Sequence, residues 1–104
     1  MVDKTDSVFL KPYDGGYDII IDNQEVGYIV ISEQILTQIE IYKPYRQNGY
    51  AKESIIQLMD KLKSDYDYIE TTSVISPILA HHILEPLGFK QRMNEPSHYF
   101  KKLD

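Results

Sequence analysis

The chain contains no cysteine. That absence removes disulfides, thiolate metal ligands and a cysteine nucleophile together. It also fits a reducing, cytoplasmic setting. No apolar run approaches the ~20 residues of a membrane span. The polar start MVDKTDS has no apolar core after it and does not read as a signal peptide. Basic charge is scarce: 11 Lys and Arg stand against 16 Asp and Glu, a net charge of -5. Non-specific nucleic-acid binding needs a basic footprint, so neither nucleic acid nor membrane is an expected partner. There is no internal repeat, low-complexity tract or dividing linker. The 104 residues are therefore read as a single domain, 1–104, since domains typically run about 100–200 residues.

What is present is organised around residues 35–63. Residues 35–42 are rich in β-branched and apolar side chains and predict a strand. From 49 to 64 the pattern turns helical, with Ala51, Ile55, Leu58, Met59 and Leu62 on one face. Between them lies a short polar loop, Tyr45-Arg46-Gln47-Asn48-Gly49-Tyr50-Ala51. A strand, a permissive glycine and a helix start make a natural anion site, because the first N–H groups of a helix lack internal partners. Arg46 adds a cation with a fork suited to phosphate.

Before this stretch, strands are expected at 8–11, 17–21 and 25–32, the last alternating through Val26, Tyr28 and Val30. Turns at Pro12-Tyr13-Asp14-Gly15-Gly16, Asp22-Asn23-Gln24 and Glu33-Gln34 separate them. Short links argue for an antiparallel meander of four strands. After the helix, residues 68–73 predict a strand parallel to 35–42, which makes a βαβ unit. A short helix follows at 78–84, with Pro77 near its first turn and Pro86 ending it. Strands at 89–93 and 97–103 close the chain as a hairpin. The fold class is α+β: a mixed sheet with an antiparallel N-terminal meander, an embedded βαβ unit, two helices and a C-terminal hairpin.

The loop Arg46-Gln47-Asn48-Gly49-Tyr50-Ala51 resembles the acyl-CoA loop of the GNAT N-acetyltransferases, Gln/Arg-x-x-Gly-x-Gly/Ala. The stretch from Ile39 to Tyr45 resembles that family's preceding strand and entry loop. Downstream, Ala80, Gly88 and Phe89 match the spacing of the family's last-helix motif, and residues 97–103 resemble its closing strand. The resemblance implies a GNAT-like fold that binds acetyl-CoA as cosubstrate and transfers acetyl directly to an amine, either a small molecule or a protein lysine or N-terminus. It also implies pyrophosphate on the amides of Gln47, Asn48, Gly49, Tyr50 and Ala51, and pantetheine between strands 35–42 and 68–73, held by backbone near Ile41 and Tyr42.

Departures from the family pattern are specific. The tyrosine that often protonates the departing thiolate falls at Leu84, and the family asparagine falls at Pro77. Two helices usually lie between the first two strands and wall the acceptor site, but here only residues 12–16 link them. The acceptor side is thus expected to be open, or completed by a partner such as a second copy of the chain. These departures favour the alternative of a non-catalytic acyl-CoA-binding regulatory module, or a protein-interaction module, of the same fold.

The remaining candidates come from residue type. Glu40, between Ile39 and Ile41, is a candidate general base; its other reading is a solvated or ion-paired strand residue. His81 is a candidate base or proton carrier, and its other reading, like that of His82, is a helix-surface histidine. Tyr42, Tyr45 or Tyr50 could replace the missing acid. The hydroxyls of Thr71, Thr72 and Ser73 could reach pantetheine amides. No metal centre is expected.

Overall fold

The computed structural model describes residues 8–72, 76 and 78–103. Seven strands form one mixed sheet in the order β1-β2-β3-β4-β5-β7-β6. The strands are β1 (Phe9–Tyr13), β2 (Gly16–Ile21), β3 (Gln24–Ser32), β4 (Ile35–Ile41), β5 (Tyr68–Thr71), β6 (Lys90–Arg92) and β7 (Glu95–Lys102). Helix α1 (Tyr50–Leu62) joins β4 to β5, and α2 (Ile78–Leu84) joins β5 towards β6. The antiparallel meander, the parallel β4–β5 pair and the closing hairpin are all present. Residues 1–7, Ser73 and Pro77, which carried expectations above, lie outside the described residues.

Local chemistry sets the turns. Asp22 and Asn23 both take positive φ, 50° and 67°, which suits the tight hairpin between β2 and β3. The first turn is shorter than expected: β1 runs on through Pro12 to Tyr13, which faces Gly16. Proline is tolerated there because β1 is an edge strand and needs no second ladder of donors.

Two bulges change the expected alternation. In β3, Ile19 faces Gly27 while Ile20 faces Glu25, so Val26 is an extra residue. Val26 is consequently buried, while Tyr28 and Val30 point to the other side of the sheet. In β4, Val30 faces Gln38 while Ile31 faces Leu36, which makes Thr37 the extra residue.

Both helices lie on one face of the sheet. Strands β4, β5 and β6 run the same way, since β7 is antiparallel to both β5 and β6. The two crossovers therefore step in one direction across the sheet, and right-handed crossovers place both helices on the same side. The core agrees: Ile55, Leu58 and Leu62 of α1 and Ala80 and Leu84 of α2 share one cluster with Leu10, Ile19, Ile29 and Ile69. Burying each large apolar side chain contributes about 1.5–3 kcal/mol. Among the described residues no layer covers the opposite face. Helix α1 is shorter at both ends than the periodicity suggests, with Gly49 standing outside it as the cap residue. Helix α2 is wound wide: Glu85 N–H reaches the Ala80 carbonyl and Phe89 N–H reaches that of Leu84. Pro86 has no N–H to continue the winding.

Candidate functional site

Strand β4 is paired on both edges only at its start. Its register with β5 covers Ile35–Glu70 and Leu36–Thr71. The Thr72 N–H adds a bond of 3.1 Å to the Leu36 carbonyl, and the Thr72 hydroxyl donates to the Thr37 carbonyl at 3.3 Å. Beyond the Thr37 bulge, β4 continues to Ile41 with no described strand on that edge. Among the described residues this leaves a gap along that edge of β4, from Gln38 to Ile41. Tyr42 N–H bonds the Val26 carbonyl on β3. By the two-residue repeat of an antiparallel ladder, Glu40 also faces β3, and Ile39 and Ile41 direct their N–H and C=O groups into the gap.

The loop that follows is set by unusual backbone. A single tight turn over Lys43–Tyr45, with Pro44 inside it, leads to an extended Arg46. Gln47 then takes φ +68°, a left-handed conformation uncommon for a residue with a side chain. The Asn48 amide fastens the bend by donating to the carbonyls of Tyr45 and Arg46 at 2.9 and 3.3 Å. Gly49 takes φ +79°, and a Cβ placed on it would meet no protein atom within 4 Å. That glycine answers to backbone angle, and the space beside it is open.

Helix α1 starts without a side-chain cap. Its first helical bond joins Glu53 N–H to the Gly49 carbonyl at 3.1 Å. The N–H groups of Ala51 and Lys52 precede that bond, and the helix dipole favours negative charge at this end. The loop thus presents amides, a left-handed bend and open ground together.

Arg46 and Glu40, singled out separately for phosphate and for base chemistry, meet each other. Arg46 Nε donates to the Ile41 carbonyl at 2.7 Å, and its Nη2 lies 2.9 Å from Glu40 Oε2. The side chains are 53 % and 39 % exposed. Glu40 is therefore both a base candidate and an ion-pair partner. Arg46 also holds one of the carbonyls that face the gap.

Glu40 stands on the uncovered side of the sheet, opposite Tyr28, which is opposite Asp18. Gln38 donates to the Tyr28 hydroxyl at 2.8 Å. The rings of Tyr28 and Tyr42 lie 6.2 Å apart, and the Tyr42 hydroxyl donates to Glu25. That hydrogen bond, helped by partial removal from water and the charges of Glu25 and Asp18, pushes the Tyr42 phenol up to about 12. A phenol held so firmly is a weak acid for a departing thiolate. Tyr45 accepts a hydrogen bond from Gln24. Asp18, Glu25 and Tyr28 escaped the sequence reading, because the bulges at Val26 and Thr37 set the register that brings Asp18 and Tyr28 into line with Glu40.

The helix-side candidates are placed differently. His81 is an exposed residue of α2 whose Nδ1 lies 3.0 Å from Glu85. Glu85 also accepts from the Tyr99 hydroxyl at 3.4 Å. His82 is exposed, and Leu84 is fully buried in the core. The Thr71 hydroxyl accepts from Tyr99 N–H at 3.1 Å, so the hydroxyls of Thr71 and Thr72 both have internal partners. Among the described residues no group of three His, Asp or Glu is placed to hold a metal ion. A depression of about 430 Å³, lined by Met59, Lys63, Lys101 and Leu103 among others, lies at the far end of α1 from Gly49 and away from these residues.

No family model and no curated protein matches this sequence. Solved structures do. A GNAT family N-acetyltransferase of Escherichia coli, YhbS, solved with CoA, superposes with a TM-score of 0.62 at 19 % identity, over 86 % of this chain and 58 % of that one. Ard1 of Thermoplasma volcanium gives 0.66 at 10 % identity, over 86 % and 71 %. A chain of the NatC complex bound to Gag peptide and CoA gives 0.65 at 18 % identity, over the same shares. The chain thus spans little more than half the length of YhbS. The mixed seven-stranded sheet with two helices on one face is a GNAT-type fold.

Proposed function

We propose that this chain binds acetyl-CoA at the β4–α1 loop and transfers the acetyl group to an amine. The observation that carries the reading is the junction of two features: among the described residues β4 has no strand partner on its β5 edge beyond Thr37, and the loop at its end leads into a helix start with no side-chain cap beside an unobstructed Gly49. The first receives an extended amide-bearing arm, and the second an anion. Two structural neighbours were solved with CoA, which supports the same assignment.

In this reading the amides of residues 47–51 hold the pyrophosphate, with Arg46 beside them. The backbone of Ile39 and Ile41 orients the pantetheine arm, since the Tyr42 N–H and carbonyl are taken by Val26 and Tyr45. The amine nitrogen attacks the thioester carbon, the oxygen gains negative charge against a strand N–H, and the C–S bond then breaks to release CoA thiolate. Glu40 takes the proton from the incoming ammonium. His81 is the second candidate for carrying protons, from the helix side. Juxtaposition of amine and thioester supplies much of the acceleration.

A second reading keeps the cofactor site and drops the chemistry. Leu84 is buried at the position where the family's proton donor would stand, and Tyr42 holds its proton tightly. Incubating the protein with acetyl-CoA and a panel of amines decides between them. Free CoA thiol that appears only with a given amine supports transfer; acetyl-CoA binding without thiol release for any amine supports the non-catalytic module.

A further inference from the structure

We propose that the uncovered face of β1–β4 docks a cationic, amphipathic segment of a partner polypeptide. A sheet in this class of fold normally packs a layer on each apolar face. Here one side of the meander carries α1, and the other, among the described residues, carries side chains alone. That side is not purely polar. Phe9 is 59 % exposed and faces the half-buried Ile20; Tyr13 and Val30 stand near the opposite end of the strands.

Acidic groups are interleaved with these apolar ones. Glu25 faces Ile20, Asp18 faces Tyr28, and Tyr28 faces Glu40. Among the described residues, Lys11 stands opposite Asp18 and Arg46 is already held by Glu40. Neither Asp18 nor Glu25 has an ion-pair partner among the described residues. Partial removal from water, and after it the charges of Asp18 and Glu25, hold the Tyr13 phenol above its ordinary value; the hydrogen bond to Glu25 does so first for Tyr42. Carboxylates flanked by tyrosine rings suit Lys and Arg, through charge and through the ring faces.

The extent of the field selects the occupant. Four strands at about 4.8 Å spacing make a surface roughly 14 Å wide. A small polyamine would satisfy the carboxylates and leave Phe9 and Tyr13 in water. A second copy of the chain would bring Asp18 and Glu25 against a like-charged surface. A segment with apolar residues on one side and Lys or Arg along its border answers both demands. The row ends at Glu40 on β4, so a lysine of the docked segment would arrive beside the gap; this last point rests on the acyl-transfer reading, and the docking surface does not.

The test needs no cofactor. An amphipathic leucine–lysine peptide is titrated into the isotope-labelled protein and followed by amide shifts, with a leucine–glutamate peptide and spermine as comparisons. Shifts concentrated at Phe9, Asp18, Glu25, Tyr28 and Tyr42, weakening with salt, support the surface. Asp18→Asn with Glu25→Gln should reduce affinity about tenfold. Phe9→Ser should weaken the peptide and leave spermine unchanged. Shifts located elsewhere, equal binding of the acidic peptide, spermine as tight as the peptide, or a protein dimer that protects this face would each overturn the proposal. A protein that binds the peptide and ignores CoA would retain this surface and lose the acyl-transfer reading; the reverse result would separate them the other way.

Discussion

Arg46 Nη2 and Glu40 Oε2 lie 2.9 Å apart, and the same guanidinium holds the Ile41 carbonyl. One side chain thus occupies both a carboxylate and a backbone group at the gap. On the proposed function, Arg46 exchanges Glu40 for phosphate when the cofactor arrives, and Glu40 is left to accept a proton.

That exchange predicts opposite effects from the two partners. Arg46→Ala should weaken CoA about tenfold while changing stability by less than about 1 kcal/mol, because an exposed pair contributes little. Glu40→Gln should bind CoA slightly more tightly, since Arg46 is released, yet slow transfer about a hundredfold. Calorimetry and steady-state rates on both variants check this. Weaker CoA binding by Glu40→Gln would contradict the exchange.

Tyr42 supplies a prediction in alkaline solution. Its phenol is held near 12 against an ordinary 10, first by its hydrogen bond to Glu25. A raised value means that the folded state favours the protonated form. Any stabilisation is therefore complete below pH about 10 and is lost as pH rises towards about 12. Tyrosinate absorbance should show a component ionising near 12 that disappears in Tyr42→Phe and moves down in Glu25→Gln. A Tyr42 phenol that ionises near the ordinary 10 would remove the Glu25 contact from the account.

Gly27 tests the closeness of β3 and β4. A Cβ there would stand 2.1 Å from the Glu40 carbonyl oxygen, a backbone atom that cannot swing aside. Gly27→Ala should cost about 1–3 kcal/mol and disturb Glu40. Gly49→Ala meets no neighbour, so its cost comes from the φ of +79° alone. Thermal melts of both variants compare collision with backbone strain.

The two sheet faces should respond differently to truncation. Leu58→Ala and Ile29→Ala remove fully buried side chains and should cost about 2–5 kcal/mol each. Phe9→Ala, on the uncovered face, should shift stability by less than about 1 kcal/mol. A large loss at Phe9 in urea unfolding would mean that this face is structurally engaged.

The strands and α1 were legible because period-two and period-3.6 patterns follow directly from which side is buried. The order of elements then fixed the parallel β4–β5 pair. The bulges at Val26 and Thr37 were not legible, because one added residue alters register without altering composition. With them went the row that joins Asp18, Tyr28 and Glu40. The Arg46–Glu40 pair was half visible: both residues drew attention, but their meeting depends on the tight turn over Lys43–Tyr45 that lies between them. The wide winding of α2 had only Pro86 as its signal.

The central claim is that residues 46–51 form an acyl-CoA site. Titrating CoA into the protein by calorimetry measures it directly, with Arg46→Ala and Gly49→Trp as variants whose folding is checked by circular dichroism. Saturable one-to-one binding by the unaltered chain, weakened about tenfold by Arg46→Ala and more by Gly49→Trp, is the result predicted. No heat of binding with the unaltered chain, or binding indifferent to both substitutions, would contradict it.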